Sequence, residues 1–289
     1  MNAPLSQSER STAWWLEVLR RRALKIEGET LDLAEPIAWS GEAERLAAVR
    51  FFNAAFRAEE SGLRQAHELA DQVARWDGDL AEVLRLYGNE EGWHRQLLEE
   101  FLARIGGGIT PMGRVTRFFY AAYARARRME TIVLTNLLFE TIGATTYRMA
   151  LRNVKHPAAR RMLTVLTRDE SFHVPLNVHF LSRVLARNPK AIGRARLVYR
   201  LLFASLLLLP LASRPKAQAF DGVPARELQR GYARALAALF LDRPELGLEP
   251  PWWLLRLLGV KRSEVRAEGV TNASAAERAA ERDEPIEAL

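Results

Sequence analysis

Apolar residues return every three or four positions along almost the whole chain, and this helical period constrains the fold more than any other feature. Runs that alternate between apolar and polar residues, as strands on a half-buried sheet do, are few. Hydrophobic residues make up 48% of the 289 residues, which is enough for a substantial buried core. The sequence therefore predicts an all-α protein.

Breaks in the helical period divide the chain into four parts. In order, they are an N-terminal amphipathic helix and loop (1–41), a four-helix bundle (42–190), a helical extension with an apolar helix (191–260) and a frayed or disordered tail (261–289). The bundle helices are predicted at residues 42–74, 79–104, 130–153 and 158–185. A break at three consecutive glycines, followed by a helix at 113–128, makes a long crossover between two helical hairpins.

Two Glu-x-x-His pairs lie in the middle of predicted helices: Glu91 with His94, and Glu170 with His173. Residues three positions apart lie on one face of a helix, so each carboxylate and its imidazole can bind the same ion. One such pair is a weak signal on its own. Two pairs at corresponding places in two hairpins indicate a repeated metal-binding design.

A single glutamate on an apolar helix face precedes each pair by about one hairpin. Glu140 lies 30 residues before the second pair, and Glu59 lies 32 residues before the first. The neighbouring Glu60 falls with Arg57 and Arg64 on the polar face. Glu59 is therefore the predicted ligand, and Glu60 remains the alternative.

Electrostatics favours a metal between these side chains. Four buried carboxylates would not all stay ionised, because each would lose its hydration and repel the others. The chain has no cysteine, so a metal must be bound by His, Asp or Glu. Four carboxylates and two imidazoles almost neutralise two divalent ions, and iron suits these ligands, with a mixed manganese–iron centre as the alternative.

An acidic residue stands immediately before each ligand glutamate of the two pairs, Glu90 and Asp169. These carboxylates are expected to accept hydrogen bonds from the distal nitrogens of the histidines and to fix their tautomers. A solvated surface charge is the alternative for Glu90. His179 lies off the helix face of His173, so it is expected to be a ligand only if Pro175 kinks the helix.

The whole motif set, Glu … Glu-x-x-His … Glu … Asp-Glu-x-x-His, resembles the ferritin-like di-iron carboxylate superfamily over about residues 45–185. The resemblance implies a ferritin-like four-helix bundle with additional N- and C-terminal helices. It also implies two iron ions and O₂ as co-substrate. The implied metal ligands are Glu59, Glu91, His94, Glu140, Glu170 and His173.

Members of that superfamily oxidise substrates, store iron, generate radicals or reduce peroxide. A radical role is disfavoured because Leu98, not a tyrosine, follows the first pair, and Tyr147 is more simply a core residue. Peroxide reduction of the rubrerythrin type is disfavoured by the absence of cysteine, and a storage shell by the basic, proline-rich C-terminal part. Gly143 and Ala144, one turn after Glu140, would leave space for a substrate.

The predicted function is that of an O₂-activating di-iron oxygenase that acts on an apolar or aromatic small molecule and takes electrons from an external donor. A non-catalytic iron-binding or iron-oxidising protein of the same fold is the alternative. A third reading is a helical protein that binds a membrane surface or a partner, with structural acidic residues.

Charge and hydropathy bear on partners and location. The net charge of +7 comes from basic residues scattered along the helices, so no nucleic-acid partner is predicted. Residues 201–212 are apolar but shorter than the roughly 20 residues of a spanning helix, which leaves a membrane interface, the bundle or a homodimer contact as their partner. We expect a cytoplasmic location, with attachment to the inner face of the membrane as the alternative.

Overall fold

The computed structural model describes residues 10–27, 31–33, 35–112, 117, 126–208, 223–241 and 243–281, and these residues form an all-α structure without strands. The first five α-helices are α1 (Thr12–Glu27), α2 (Glu42–Val73), α3 (Gly78–Arg104), α4 (Met129–Leu151) and α5 (Pro157–Arg187). They are followed by α6 (Ile192–Ser205), α7 (Ala225–Ala238), α8 (Trp252–Leu257) and α9 (Arg262–Glu281). The predicted all-α class is confirmed.

Helices α2 to α5 form two antiparallel hairpins, α2 with α3 and α4 with α5. The side chain of Asp77 accepts a hydrogen bond from the backbone N–H of Leu80 at 3.0 Å, so it caps α3 directly after the turn from α2. Pro157 begins α5, where its missing N–H costs nothing because first-turn N–H groups have no partner within the helix. The observed helix ends lie within two residues of the predicted ones.

Two apolar clusters fill the bundle and lie at its opposite ends. One contains Phe52 and Phe101, whose ring centres are 4.7 Å apart, and the other contains Leu84 and Leu181. Along each of the four helices, residues of one cluster are followed by polar residues and then by residues of the other cluster. The bundle therefore has a buried polar layer between two apolar cores, and we call it the polar layer.

The remaining helices cover the two hairpins. Helix α1 packs on α3, α6 and α7 pack on α4, and α9 packs on α5 and α7. Trp15 of α1 is fully buried, and its ring meets that of Phe172 edge-on with centres 5.2 Å apart. Helix α1 therefore forms part of the buried core next to the polar layer.

The C-terminal stretch differs from its prediction. We expected a frayed helix or a disordered tail from residue 261, but Arg262–Glu281 is a helix that packs on α5 and α7. Its buried side chains are small, with Ala276 and Ala279 almost fully covered. The helix can therefore pack closely against α5 and α7 without burying large apolar groups. The predicted crossover helix at 113–128 lies almost entirely outside the described residues.

Exposed apolar side chains occur on α6, whose predicted range extended from 195 to 211. Leu197 and Leu201 are exposed on the same face as Arg194, and residues 209–212 of the predicted apolar segment lie outside the described residues. Within the described part of the chain, we find no helix with both the length and the apolar character needed to cross a membrane.

Candidate metal centre

Four of the predicted ligands meet in the polar layer. Glu91 and His94 come from the middle of α3, and Glu170 and His173 come from the middle of α5. Each offers one ligand atom, and these atoms all lie within 4.8 Å of one another. Nδ1 of His173 is 3.0 Å from Oε1 of Glu91 on the other hairpin. The buried carboxylate–imidazole cluster is therefore placed to bind a metal ion.

Glu59 and Glu140, the other two predicted ligands, border this cluster from α2 and α4. Oε2 of Glu59 is 3.4 Å from Nδ1 of His94, and the Glu59 side chain is buried. Its neighbour Glu60 is half-exposed and forms an ion pair with Arg57 at 2.6 Å. Of the two glutamates, Glu59 faces the polar layer, which is the orientation that helical phase predicts; its role as a metal ligand stays a prediction.

A tyrosine hydroxyl donates a hydrogen bond to each of these bordering glutamates. Tyr147 donates to Glu59 at 3.1 Å, and Tyr87 donates to Glu140 at 2.8 Å. Burial raises the pKa of Tyr87 well above its usual range, with Glu140 adding to the shift, so the phenol keeps its proton. Tyr147 is buried, as expected of a core aromatic, but its hydroxyl partner is a predicted ligand.

Several polar atoms of the cluster lie close to one another but have no well-aligned hydrogen-bond partner within the described part of the chain. These atoms are both carboxylate oxygens of Glu91, Oε2 of Glu170, and Nδ1 of His94 and of His173. A buried polar atom without a partner costs about 1–3 kcal/mol, and proteins rarely leave several together. Oxygen and nitrogen donors that converge without partners fit a bound metal ion.

The outer nitrogen of each histidine is paired with an acidic residue, as predicted, but the pairs are crossed. Nε2 of His94 lies 3.0 Å from Asp169, and Nε2 of His173 lies 2.9 Å from Glu90. Because an ionised carboxylate only accepts, Nε2 keeps its proton, and Nδ1 is the nitrogen that would present a lone pair to a metal once the imidazole is neutral. Glu90 is only 2% exposed, so it is not a solvated surface charge.

Arg22 of α1 holds both of these acidic residues and is the main functional residue that the sequence reasoning missed. It is fully buried, and its guanidinium donates to Glu90 at 2.8 Å and to Asp169 at 2.9 Å. Burial opposes its charge, but Glu90 and Asp169 outweigh burial and raise the pKa of Arg22. Burial alone would likewise raise the pKa of Glu90, but Arg22 and His173 lower it to about 2.

A signal for Arg22 was present in the helical period of α1. Trp15, Val18, Leu19 and Arg22 follow the three- and four-residue spacing of one face, and all four are buried. Arg20 and Arg21 fall on the exposed side. A basic residue on the apolar face of a helix indicates a buried partner, which α3 and α5 supply.

Burial and mutual repulsion keep protons in the metal-free cluster. Burial raises the pKa of Glu91 well above its usual range, and Glu140 and Glu59 raise it further. The pKa of Glu170 is raised by burial and by the same two neighbours. Binding of divalent ions would replace these protons and let the carboxylates ionise.

A small space adjoins the carboxylates of Glu59, Glu140 and Glu170, on the side of α2 and α4. It measures about 10 Å³, which is room for roughly one water molecule. Gly143 lines this space, as expected of a residue that leaves room beside the cluster. Ala144 instead faces a larger cavity outside the bundle.

His179 lies outside the cluster. It is buried beside Trp15, and its Nε2 is 3.1 Å from the hydroxyl of Thr12. Helix α5 continues through Pro175, so His179 stays off the face that carries His173, as its phase predicts.

Comparisons with known proteins identify no relative of this chain. No protein-family model, curated protein or solved structure matches the chain. The description of the site therefore rests on the geometry of the polar layer.

Proposed function

We propose that the polar layer binds two iron ions and that the protein is an O₂-dependent oxidoreductase. The observation that carries the proposal is the set of buried donor atoms on the two Glu-x-x-His pairs that have no well-aligned hydrogen-bond partner. The outer nitrogen of each histidine is held by a carboxylate of the opposite helix. The proposed ligands are Glu59, Glu91, His94, Glu140, Glu170 and His173.

The charges support two ions rather than one. Four ionised carboxylates and two neutral imidazoles balance about two divalent cations, and bundles that bind such pairs use this ligand set. A single ion would leave negative charge uncompensated in a layer that excludes water. A mixed manganese–iron centre would satisfy the same charges.

The proposed reaction is the oxygenation of an apolar or aromatic small molecule. Two ferrous ions held by the six proposed ligands would supply two of the four electrons that reduction of O₂ requires. The substrate would supply the other two, and an external donor would restore the ferrous state after each turnover. In a monooxygenase, one oxygen atom enters the substrate and the other leaves as water. The chain itself orients the ligands, excludes bulk water and keeps the Tyr87 and Tyr147 hydroxyls protonated beside the carboxylates.

An iron-binding or iron-oxidising protein without an organic substrate is the second candidate. The small space beside Glu59, Glu140 and Glu170 favours it, because about 10 Å³ admits O₂ or water but no aromatic molecule unless side chains move. Phe139 and Tyr147 line the same space and are the side chains that a substrate would have to displace.

O₂ uptake distinguishes these candidates. The protein is loaded anaerobically with ferrous iron, supplied with an artificial electron donor, and mixed with O₂ and a panel of aromatic and aliphatic compounds. We expect repeated O₂ uptake coupled to oxidation of at least one compound, and loss of that uptake in Glu91→Ala. A single round of uptake that leaves ferric iron would favour the second candidate, and the absence of any uptake would refute both.

A further inference from the structure

A large cavity lies outside the four-helix bundle, between α4, α5, α7 and α9, and we call it the outer cavity. Its volume is about 660 Å³, within the range of pockets that bind small molecules. Thr141 and Ser171 line it, each directly after the inward-facing Glu140 and Glu170. Successive helix residues point roughly 100° apart, so the outer cavity and the polar layer lie on different faces of α4 and α5.

Arg10 lines the outer cavity with an unused hydrogen-bonding group. The residue is 5% exposed, and its Nη1 has no hydrogen-bond partner among the described residues. Nη2 lies 3.4 Å from Glu277, and the guanidinium lies 4.6 Å from the centre of the Trp14 ring. A buried N–H donor without an acceptor costs free energy, which an anion beside Nη1 would recover.

The other charged groups around the outer cavity leave it positive. Arg148 and Arg266 also line it, and Glu277 is the acidic residue among the described lining residues. Arg148 is already paired, with Glu268 and with Asn272, whereas Arg266 is exposed. With Glu277 beside Arg10 and Glu268 beside Arg148, the three arginines exceed these acidic partners by one charge, so the outer cavity suits one negative charge next to Nη1 of Arg10.

Part of the outer cavity's lining is apolar. This apolar wall comes from α5 and α7 and consists of Val174, Val178, Ala235, Ala238 and Leu239. Two exposed apolar side chains, Leu241 and Val270, also border the cavity, and Val270 is 70% exposed. Exposed apolar side chains around a pocket indicate an apolar ligand or entry path.

We propose that the outer cavity binds an amphiphilic carboxylate, such as a medium-chain fatty acid, with its charge on Arg10 and its chain along the apolar wall. Nη1 of Arg10 can donate a charge-assisted hydrogen bond to a carboxylate oxygen while Nη2 stays beside Glu277. The site does not require a metal, so it stands or falls independently of the dimetal centre.

Binding is measured on the metal-free full-length protein with three probes of equal chain length: dodecanoate, dodecanol and dodecylamine, each below its micelle concentration. We expect saturable binding of dodecanoate, with dodecanol weaker by about tenfold because it lacks the charge. Dodecylamine is expected not to compete. Equal affinity for dodecanoate and dodecanol, or no saturable dodecanoate binding, would overturn the proposal.

Two variants locate the site. Arg10→Gln should weaken dodecanoate by about tenfold and leave dodecanol unchanged, whereas Arg20→Gln, on the exposed side of α1, should change neither. Ala144→Phe places a bulky ring in the outer cavity and should weaken binding of both probes. If Arg10→Gln fails to fold, Ala144→Phe still decides the location, and dodecanoate binding that it leaves intact would refute the assignment. Iron content measured in parallel should not change.

Discussion

At the scale of single residues, the candidate metal centre depends on side chains whose position on a helix decides their role. Glu59 and Glu60 are adjacent and chemically identical, yet one faces the buried cluster and the other pairs with Arg57 at the surface. The three- and four-residue spacing of apolar residues in α2 was sufficient to distinguish them. Helical spacing could not predict which outer carboxylate pairs with which histidine, because that pairing depends on how the hairpins face each other.

This difference between neighbours gives a matched pair of variants. Glu59→Gln removes a charge that faces the cluster, so we expect iron binding to weaken by about tenfold or more. Glu60→Gln removes an exposed charge from α2 and should leave iron binding unchanged. Iron affinity is measured by titration of each variant against a competing chelator. A larger loss in Glu60→Gln than in Glu59→Gln would exchange the two roles.

At the scale of helices, α1 is joined to the polar layer through one side chain. Arg22 contacts Glu90 of α3 and Asp169 of α5, and these residues contact the two histidines of the opposite helices. The sequence predicted α1 as a separate amphipathic segment, because nothing local identifies a partner more than 60 residues away. Its buried face was predictable, but the ion pairs on that face were not.

Removing the charge of Arg22 tests this connection. Arg22→Met keeps much of the apolar bulk but leaves Glu90 buried without its arginine and Asp169 with Arg168 as its remaining one, so we expect a loss of about 3–5 kcal/mol in the free energy of unfolding. Arg20→Met, which breaks the exposed pair with Glu82, should cost less than about 1 kcal/mol. Urea unfolding of the metal-free proteins measures both. Equal effects would contradict the role of Arg22.

At the scale of the whole molecule, the polar layer lies between two apolar cores. The bundle helices and their ends were predictable because hydrophobic periodicity and turn residues are local signals. Helix α9 was not predictable in this way, because it packs on α5 and α7 through small alanine side chains and has few large apolar residues of its own. The outer cavity arises from the same packing and had no sequence signal.

The buried glutamates of the polar layer should make the metal-free protein less stable as the pH rises. Glu91 and Glu170 have raised pKa values, so the folded state binds more protons than the unfolded state above pH 4.5. His94 acts in the same direction, because its protonated form is favoured in the folded state. Glu90, with a pKa of about 2, is ionised throughout this range. His179, whose pKa burial lowers to about 4, acts in the opposite direction below its ordinary pKa, but it is one group against three.

We therefore expect the urea midpoint of the metal-free protein to fall between about pH 5 and about pH 8. The double variant Glu91→Gln, Glu170→Gln should flatten this dependence, and added iron should reverse it, since metal binding releases the protons. An unchanged slope in the double variant would show that other groups cause the pH dependence.

The most direct test of the central claim is the metal content of the protein purified after growth with iron, measured by elemental analysis per chain. We predict about two ions per chain, falling to below about one in Glu91→Ala and in Glu170→Ala while both variants remain folded. A content far below two ions in the wild-type protein, unchanged by either substitution, would contradict a dimetal centre in the polar layer.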